Sequence, residues 1–174
     1  MNIYVVRHGQ TDWNKKNILL GNTDKPLNKE GKLQAYKLKE KLENVKFDII
    51  ISSNLKRAVT TAKIINNKNE ILLDENLKER YYGLLEGTTP KNIHEYWEIK
   101  KNLNTNAVEP LEDFLKRIFK EMDYIIQEYN ECENILIVTH YGVSMAIDAY
   151  FKEKFNQCFE NFQFGNCEYI KYNI

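Results

Sequence analysis

The sequence predicts an α/β domain in three layers, a mostly parallel central sheet flanked by helices. Two observations carry this. Short apolar runs of strand length alternate with longer stretches whose apolar residues recur every three or four positions, in the order βαβαβααβαβ. Polar residues that can bind an anion, such as Arg7-His8 and His140, stop two of the apolar runs. Open parallel sheets hold ligands at that place, beyond the carboxyl ends of their strands.

Taken in order, residues 3–6 are an apolar strand that ends at Arg7. Residues 30–44 follow a helical period, with Ala35, Leu38, Leu42 and Val45 on one stripe and Asn28 as N-cap. Residues 47–51 form a second buried strand, stopped by Ser52-Ser53. Ser53 is the expected cap of a helix reaching about residue 67, with Ala58, Ala62 and Ile65 turned inward. Residues 70–73 are a weaker strand. After a loop containing Gly83 and Gly87, Pro90 opens a helix holding His94, Tyr96 and Trp97. Leu111, Phe114, Ile118, Met122, Ile125 and Tyr129 mark the strongest helical period. Residues 135–139 are another buried strand, followed by His140-Tyr141-Gly142 and a helix over 143–152. At the end, Ile170, Tyr172 and Ile174 alternate as an edge strand does.

The 174 residues read as a single domain, 1–174, with no repeat, low-complexity tract or linker. Lysine plus arginine and aspartate plus glutamate both number 25. That balance predicts neither nucleic acid nor a membrane as partner, and any basic site must be local. It specifies no oligomeric state. Cys132, Cys158 and Cys167 lack metal-knuckle spacing and read as free thiols. No apolar run approaches the roughly 20 residues that span a bilayer. Arg7 follows the first strand too soon for a signal peptide, so a cytoplasmic location is expected.

Arginine is scarce: four, at positions 7, 57, 80 and 117, among 21 lysines. A guanidinium grips phosphate or carboxylate through two parallel hydrogen bonds, which an ammonium does not, so each arginine is a candidate for that task. Arg7, His8, Arg57 and His140 all fall beyond the carboxyl ends of strands, near the starts of the following helices, and together they describe a site for a tetrahedral phosphate. Two bidentate arginines and a cationic His140 would neutralise the oxygens without metal or other cofactor. Neutral His8 would then attack phosphorus. The leaving alkoxide needs a proton, and Glu79 and Glu86, in the glycine-containing loop, are equal candidates.

Blander and rival readings stand beside these. Three histidines can ligate a metal, but Arg7 beside His8 repels a cation and no His-x-x-x-His pattern occurs, so no metal is expected. His94 suits a surface or lid position. Arg117, on the polar side of its helix, reads as a solvated charge. Asp12, Asp24 and Glu86 are also suited to capping turns.

The segment 7–14, Arg-His-Gly-Gln-Thr-Asp-Trp-Asn, resembles the signature of the histidine phosphatase (phosphoglycerate mutase-like) superfamily. Four further blocks follow in the family's order: 21–31, 52–62, 77–87 with Glu79-Arg80-Tyr81-Tyr82-Gly83, and 138–142 with His140-Tyr141-Gly142. The resemblance implies the family's fold, with His8 as nucleophile and Arg7, Arg57 and His140 as the phosphate pocket. It implies Asn14 and the Gly21 backbone as further donors, and it selects Glu79 over Glu86 as acid and then base. Arg80, Tyr141 and Gly142 are expected around the substrate.

Two departures bear on the substrate. Most phosphatases of the family have His-Gly-Gly where this chain has Tyr141 in the middle, which would narrow the pocket or touch substrate. The 79–83 segment resembles the loop of the mutases. Yet the stretch between Gly87 and His140 is shorter than theirs and contains Arg117 alone in place of their paired arginines. The expected activity is therefore hydrolysis of a small phosphorylated metabolite, in the manner of α-ribazole phosphatase. A cofactor-dependent phosphoglycerate mutase and a non-catalytic phosphate-binding module are the alternatives.

Overall fold

The computed structural model of the chain describes residues 1–66, 69–90, 108–152 and 162–174. The expected helix with His94, Tyr96 and Trp97, and Cys158, lie outside the described residues. Five strands make one sheet: β1 (Asn2–Arg7), β2 (Ile49–Ser53), β3 (Leu72–Asp74), β4 (Asn134–Thr139) and β5 (Tyr169–Asn173). Their spatial order is β3-β2-β4-β1-β5, with β5 the antiparallel member at one edge.

Alternation along the strands builds two cores. Ile3 and Val5 of β1 and Ile135 and Ile137 of β4 face one side. There they pack on Phe114, Ile118 and Met122 of α4 (Leu111–Glu128) and on Val143 and Ile147 of α5 (Tyr141–Lys152). Tyr4, Val6, Leu136 and Val138 face the other side. They meet Leu38 of α2 (Lys29–Lys41) and Ala58, Ala62 and Ile65 of α3 (Lys56–Ile65). The result is the three layers expected, each large apolar side chain contributing about 1.5–3 kcal/mol over its exposed state. A short α1 (Asp12–Lys15) precedes these, closed by a capping box between Thr11 and Asn14.

Two local expectations are corrected. Ser52 and Ser53 do not stop β2: they pair within it, Ser52 opposite Val138 and Ser53 opposite Asp74. A buried strand tolerates them because Ser52 Oγ donates to the Ser53 carbonyl at 2.9 Å. Nor is Ser53 the cap of α3, which starts after Leu55 with no side-chain cap, so the Ser53 hydroxyl is turned to another use. Among the described residues no helix is long and apolar enough to cross a membrane.

Candidate active site

Parallel register brings the two histidines together. β1 pairs with β4 so that Arg7 lies opposite Thr139, and His8 N–H donates to the Thr139 carbonyl at 2.9 Å. The next residues on the two strands, His8 and His140, then lie side by side, ring centroids 5.1 Å apart. Arg57 enters from the first turn of α3, with its guanidinium fully buried. Its Nε donates to His8 Nε2 and to His140 Nδ1, both at 3.2 Å.

Arginine has no acceptor, so both imidazole nitrogens facing it carry lone pairs. His8 therefore holds its proton on Nδ1, donating to the Gly9 carbonyl at 2.7 Å. His140 holds its own on Nε2, donating to Ser53 Oγ at 2.8 Å. Arg57 thus fixes the tautomer of His140, and the Ser53 hydroxyl takes the remaining ring proton as acceptor. Burial first, then the charges of Arg57 and Arg7, push the His8 pKa well below 6.5. Burial and Arg57 do the same to His140. These surroundings by themselves favour the neutral imidazole, so the cationic His140 expected opposite a phosphate depends on the charge of the anion. Arg57 itself is lowered to about 10, burial outweighing the nearby carboxylates of Glu79, Asp24 and Glu86, and stays charged.

The Arg57 fork is occupied more fully than a simple phosphate clamp would be. Nη1 donates to the Thr23 carbonyl at 2.9 Å and Nη2 to that of Gly21 at 2.7 Å. Gly21 adopts φ +53°, which suits glycine, and aims its carbonyl at Arg57. Glu86 holds the same turn from outside, accepting from the N–H groups of Asn22, Thr23 and Tyr82 and from the Thr23 hydroxyl at 2.6–3.1 Å. Its carboxylate is a turn clamp.

Glu79, by contrast, faces a cavity of about 780 Å³ that also holds Arg7, His8, Asn14, Arg57 and Tyr141. One carboxylate oxygen accepts Arg80 N–H at 2.9 Å and the other accepts Gly142 N–H at 3.0 Å. Gly142 lines the cavity as well, and its lack of a side chain makes room for the acid: a Cβ there would lie 2.4 Å from Glu79 Oε1. Asn14 Oδ1 is taken by Thr11, which leaves its amide nitrogen as a donor for the cavity.

Arg7 and Tyr141 form a wall with the C-terminal segment. Arg7 Nη1 donates to the Phe164 carbonyl at 2.5 Å, its guanidinium lies 5.1 Å from the Tyr141 ring centroid, and Tyr141 Oη donates to the Phe162 carbonyl at 2.6 Å. Asn166 joins the cavity and donates to the His8 carbonyl at 2.9 Å. No motif marked Phe162, Phe164 or Asn166, and the block holding Ser53 gave it no role beside His140. Their one signal was proximity in sequence to a strand end, which is too weak to single them out.

Two arginines are elsewhere than expected. Arg80 is buried outside the cavity lining, its Nε donating to the Glu109 carbonyl at 2.8 Å. Arg117 is no solvated charge, being paired with Glu109 at 2.9 Å. Among the described residues no group of three or more His, Cys, Asp or Glu side chains is placed to hold a metal.

Residues 3–174 match the histidine phosphatase superfamily (branch 1). The phosphatase PhoE of Bacillus subtilis is 36% identical over 140 residues, 79% of this chain and 70% of that protein. A 2,3-bisphosphoglycerate-dependent phosphoglycerate mutase of Cytophaga hutchinsonii is 32% identical over 151 residues, 79% of this chain and 71% of that one. Among solved structures, Bacillus stearothermophilus YhfR superposes with a TM-score of 0.87 at 26% identity, over 99% of this chain and 91% of that one.

Proposed function

Since the chain belongs to the histidine phosphatase superfamily, we propose that it hydrolyses small phosphomonoesters through a phosphohistidine at His8. It is a hydrolase, a phosphatase. The observation that carries the mechanism is the tautomer set by the Gly9 carbonyl, which leaves the His8 Nε2 lone pair toward the cavity beside buried Arg57.

The phosphoryl oxygens take over the shared Arg57 Nε–H and are met by Arg7 and Asn14. A dianion here favours protonation of His140, which then becomes a donor on both nitrogens. The His8 Nε2 pair forms the P–N bond as the P–O bond to the leaving group breaks, and Glu79 delivers a proton to the departing oxygen. In the second half, Glu79 takes a proton from water as the water oxygen bonds to phosphorus. The P–N bond then breaks, releasing phosphate and returning the lone pair to His8.

Ile18, Leu19 and Leu20 line the cavity together with Tyr82, which supports a substrate whose carbon moiety is partly apolar. The mutase alternative needs a second grip on an acidic group. Arg80 and Arg117, the arginines available for one, are both engaged on Glu109. A cytoplasmic location belongs to the same proposal, since the free thiols of Cys132 and Cys167 suit a reducing compartment, and cell fractionation checks it.

Quenching the protein in alkali during turnover of a labelled phosphoester should trap an acid-labile, alkali-stable phosphoprotein, and His8→Ala should abolish label and turnover together. Retention of label by that variant would assign the nucleophile to another residue.

A further inference from the structure

Glu79 lies on a segment, residues 76–82, with no helix or strand ladder of its own. Two residues outside the cavity hold it. Arg117, on α4, and Glu109, just before that helix, pair through two 2.9 Å hydrogen bonds, Nε to Oε1 and Nη2 to Oε2. From this pair, contacts run to both flanks of Glu79. On the N-terminal side, Arg117 Nη1 donates to the carbonyl of Lys78 at 3.1 Å and to that of Asn76. On the C-terminal side, the Glu109 carbonyl accepts Arg80 Nε at 2.8 Å and Glu109 Oε2 accepts Tyr81 N–H at 3.2 Å. The Glu109 N–H in turn donates to the Tyr81 carbonyl at 2.9 Å. Residues 76, 78, 80 and 81 are thereby pinned, and position 79 between them is left to send its carboxylate to Gly142.

We propose that Arg117 and Glu109 are positioning residues that set the place of the Glu79 carboxylate against the reacting phosphoester. This rests on the role proposed above for Glu79. Neither residue lines the cavity, so neither acts on the substrate directly. The geometry asks for arginine in particular. One planar guanidinium makes a bidentate pair with a carboxylate while donating to two backbone carbonyls, and lysine's mobile ammonium reproduces the charge but not the fork. A partly exposed ion pair contributes little by its charge alone; its value here is geometric. A displacement of about 1 Å at a catalytic group costs up to 100-fold in rate.

The test is a double-mutant cycle with two substrates of different leaving-group need. Arg117→Lys should lower kcat for an alkyl phosphate on the order of 10- to 100-fold. Its KM should move little, and the phosphorylation burst with p-nitrophenyl phosphate, whose leaving group hardly needs a proton, should keep its rate. Burst amplitude counts the folded, competent sites, so a partly unfolded preparation does not mimic the effect. Glu109→Gln should give a smaller loss of the same kind. In the Glu79→Gln background, Arg117→Lys should add almost nothing, because the group it positions is gone. A pair that merely docks α4 would lower thermal stability and slow both substrates alike. That outcome, or additive losses in the double variant, overturns the proposal while leaving the role of Glu79 intact. Wild-type turnover of alkyl phosphates by Glu79→Gln alone overturns both.

Discussion

Arg57 and His8 meet at 3.2 Å, Nε against Nε2, and the same Arg57 hydrogen is shared at equal distance with His140 Nδ1. A permanently charged donor therefore stands between two imidazoles that follow neighbouring strands and compels both to present lone pairs. This donor also ties the Gly21 and Thr23 carbonyls to the histidines, so one side chain organises both the nucleophile and the turn opposite it.

Arg57→Lys should for that reason behave as a severe change. Lysine keeps the charge but has no planar fork with which to hold the two carbonyls and the two imidazoles at once. The expected loss in kcat/KM is on the order of 100-fold, roughly 3 kcal/mol of transition-state stabilisation. Steady-state kinetics of the purified variant check it, and near-normal values would place Arg57 outside the phosphate shell.

The buried histidines set a pH dependence with a definite sign. His8 and His140 take up protons only well below 6.5, whereas in the unfolded chain they do so near that value. Between those limits the unfolded chain binds more protons, so their contribution to stability is complete above about pH 6.5 and is lost as pH falls. Imidazole NMR titration should show no midpoint near 6.5 for either ring. His140→Gln, which does not titrate, should show a shallower loss of thermal stability on acidification than the parent.

Gly142→Ala should separate activity from stability. The position is helical, so alanine fits the backbone, but its Cβ would come within 2.4 Å of Glu79 Oε1 and must displace that carboxylate. The acid sits at the end of a flexible side chain, so the protein can accommodate the methyl by moving it. Turnover of alkyl phosphates should fall by about 10- to 100-fold, with the melting temperature nearly unchanged. A full-activity variant would show that the place of Glu79 is not critical.

Glu121 works in the opposite pH direction to the histidines. Burial first, then the hydrogen bond and charge of Asp74, push its carboxyl up to about 7 from an ordinary 4.5, against the donor Asn76 and the charge of Lys120. The folded protein thus binds the proton more tightly, and stability falls as pH rises from about 4.5 to about 7. Glu121→Gln keeps an acceptor for Asn76 Nδ2, now 2.6 Å from the carboxylate, without the charge. It should melt higher than the parent near about pH 8, and the difference should shrink toward zero near about pH 5. A constant difference across that range would mean that Glu121 does not titrate within it.

The layered fold, the strand ends of Arg7, His8 and His140, and the helix start that carries Arg57 are legible in the linear chain. Those follow from apolar periodicity, which is local, and from the rule that parallel strands end on one side of a sheet. The choice of Glu79 over Glu86 came from the family pattern, because both are glutamates of one loop and differ only in what surrounds them. Tertiary structure decided the rest. Ser53 looked like a helix cap but serves His140, 87 residues away. Arg7 is braced by Phe164, 157 residues away. Arg117 looked solvated because periodicity tells which helix face is apolar, not which distant carboxylate and carbonyls close over its polar edge. The low proton affinity of His140 depends likewise on burial and on a guanidinium brought from the first turn of another helix, since loss of water and nearby charge arise only in the assembled site.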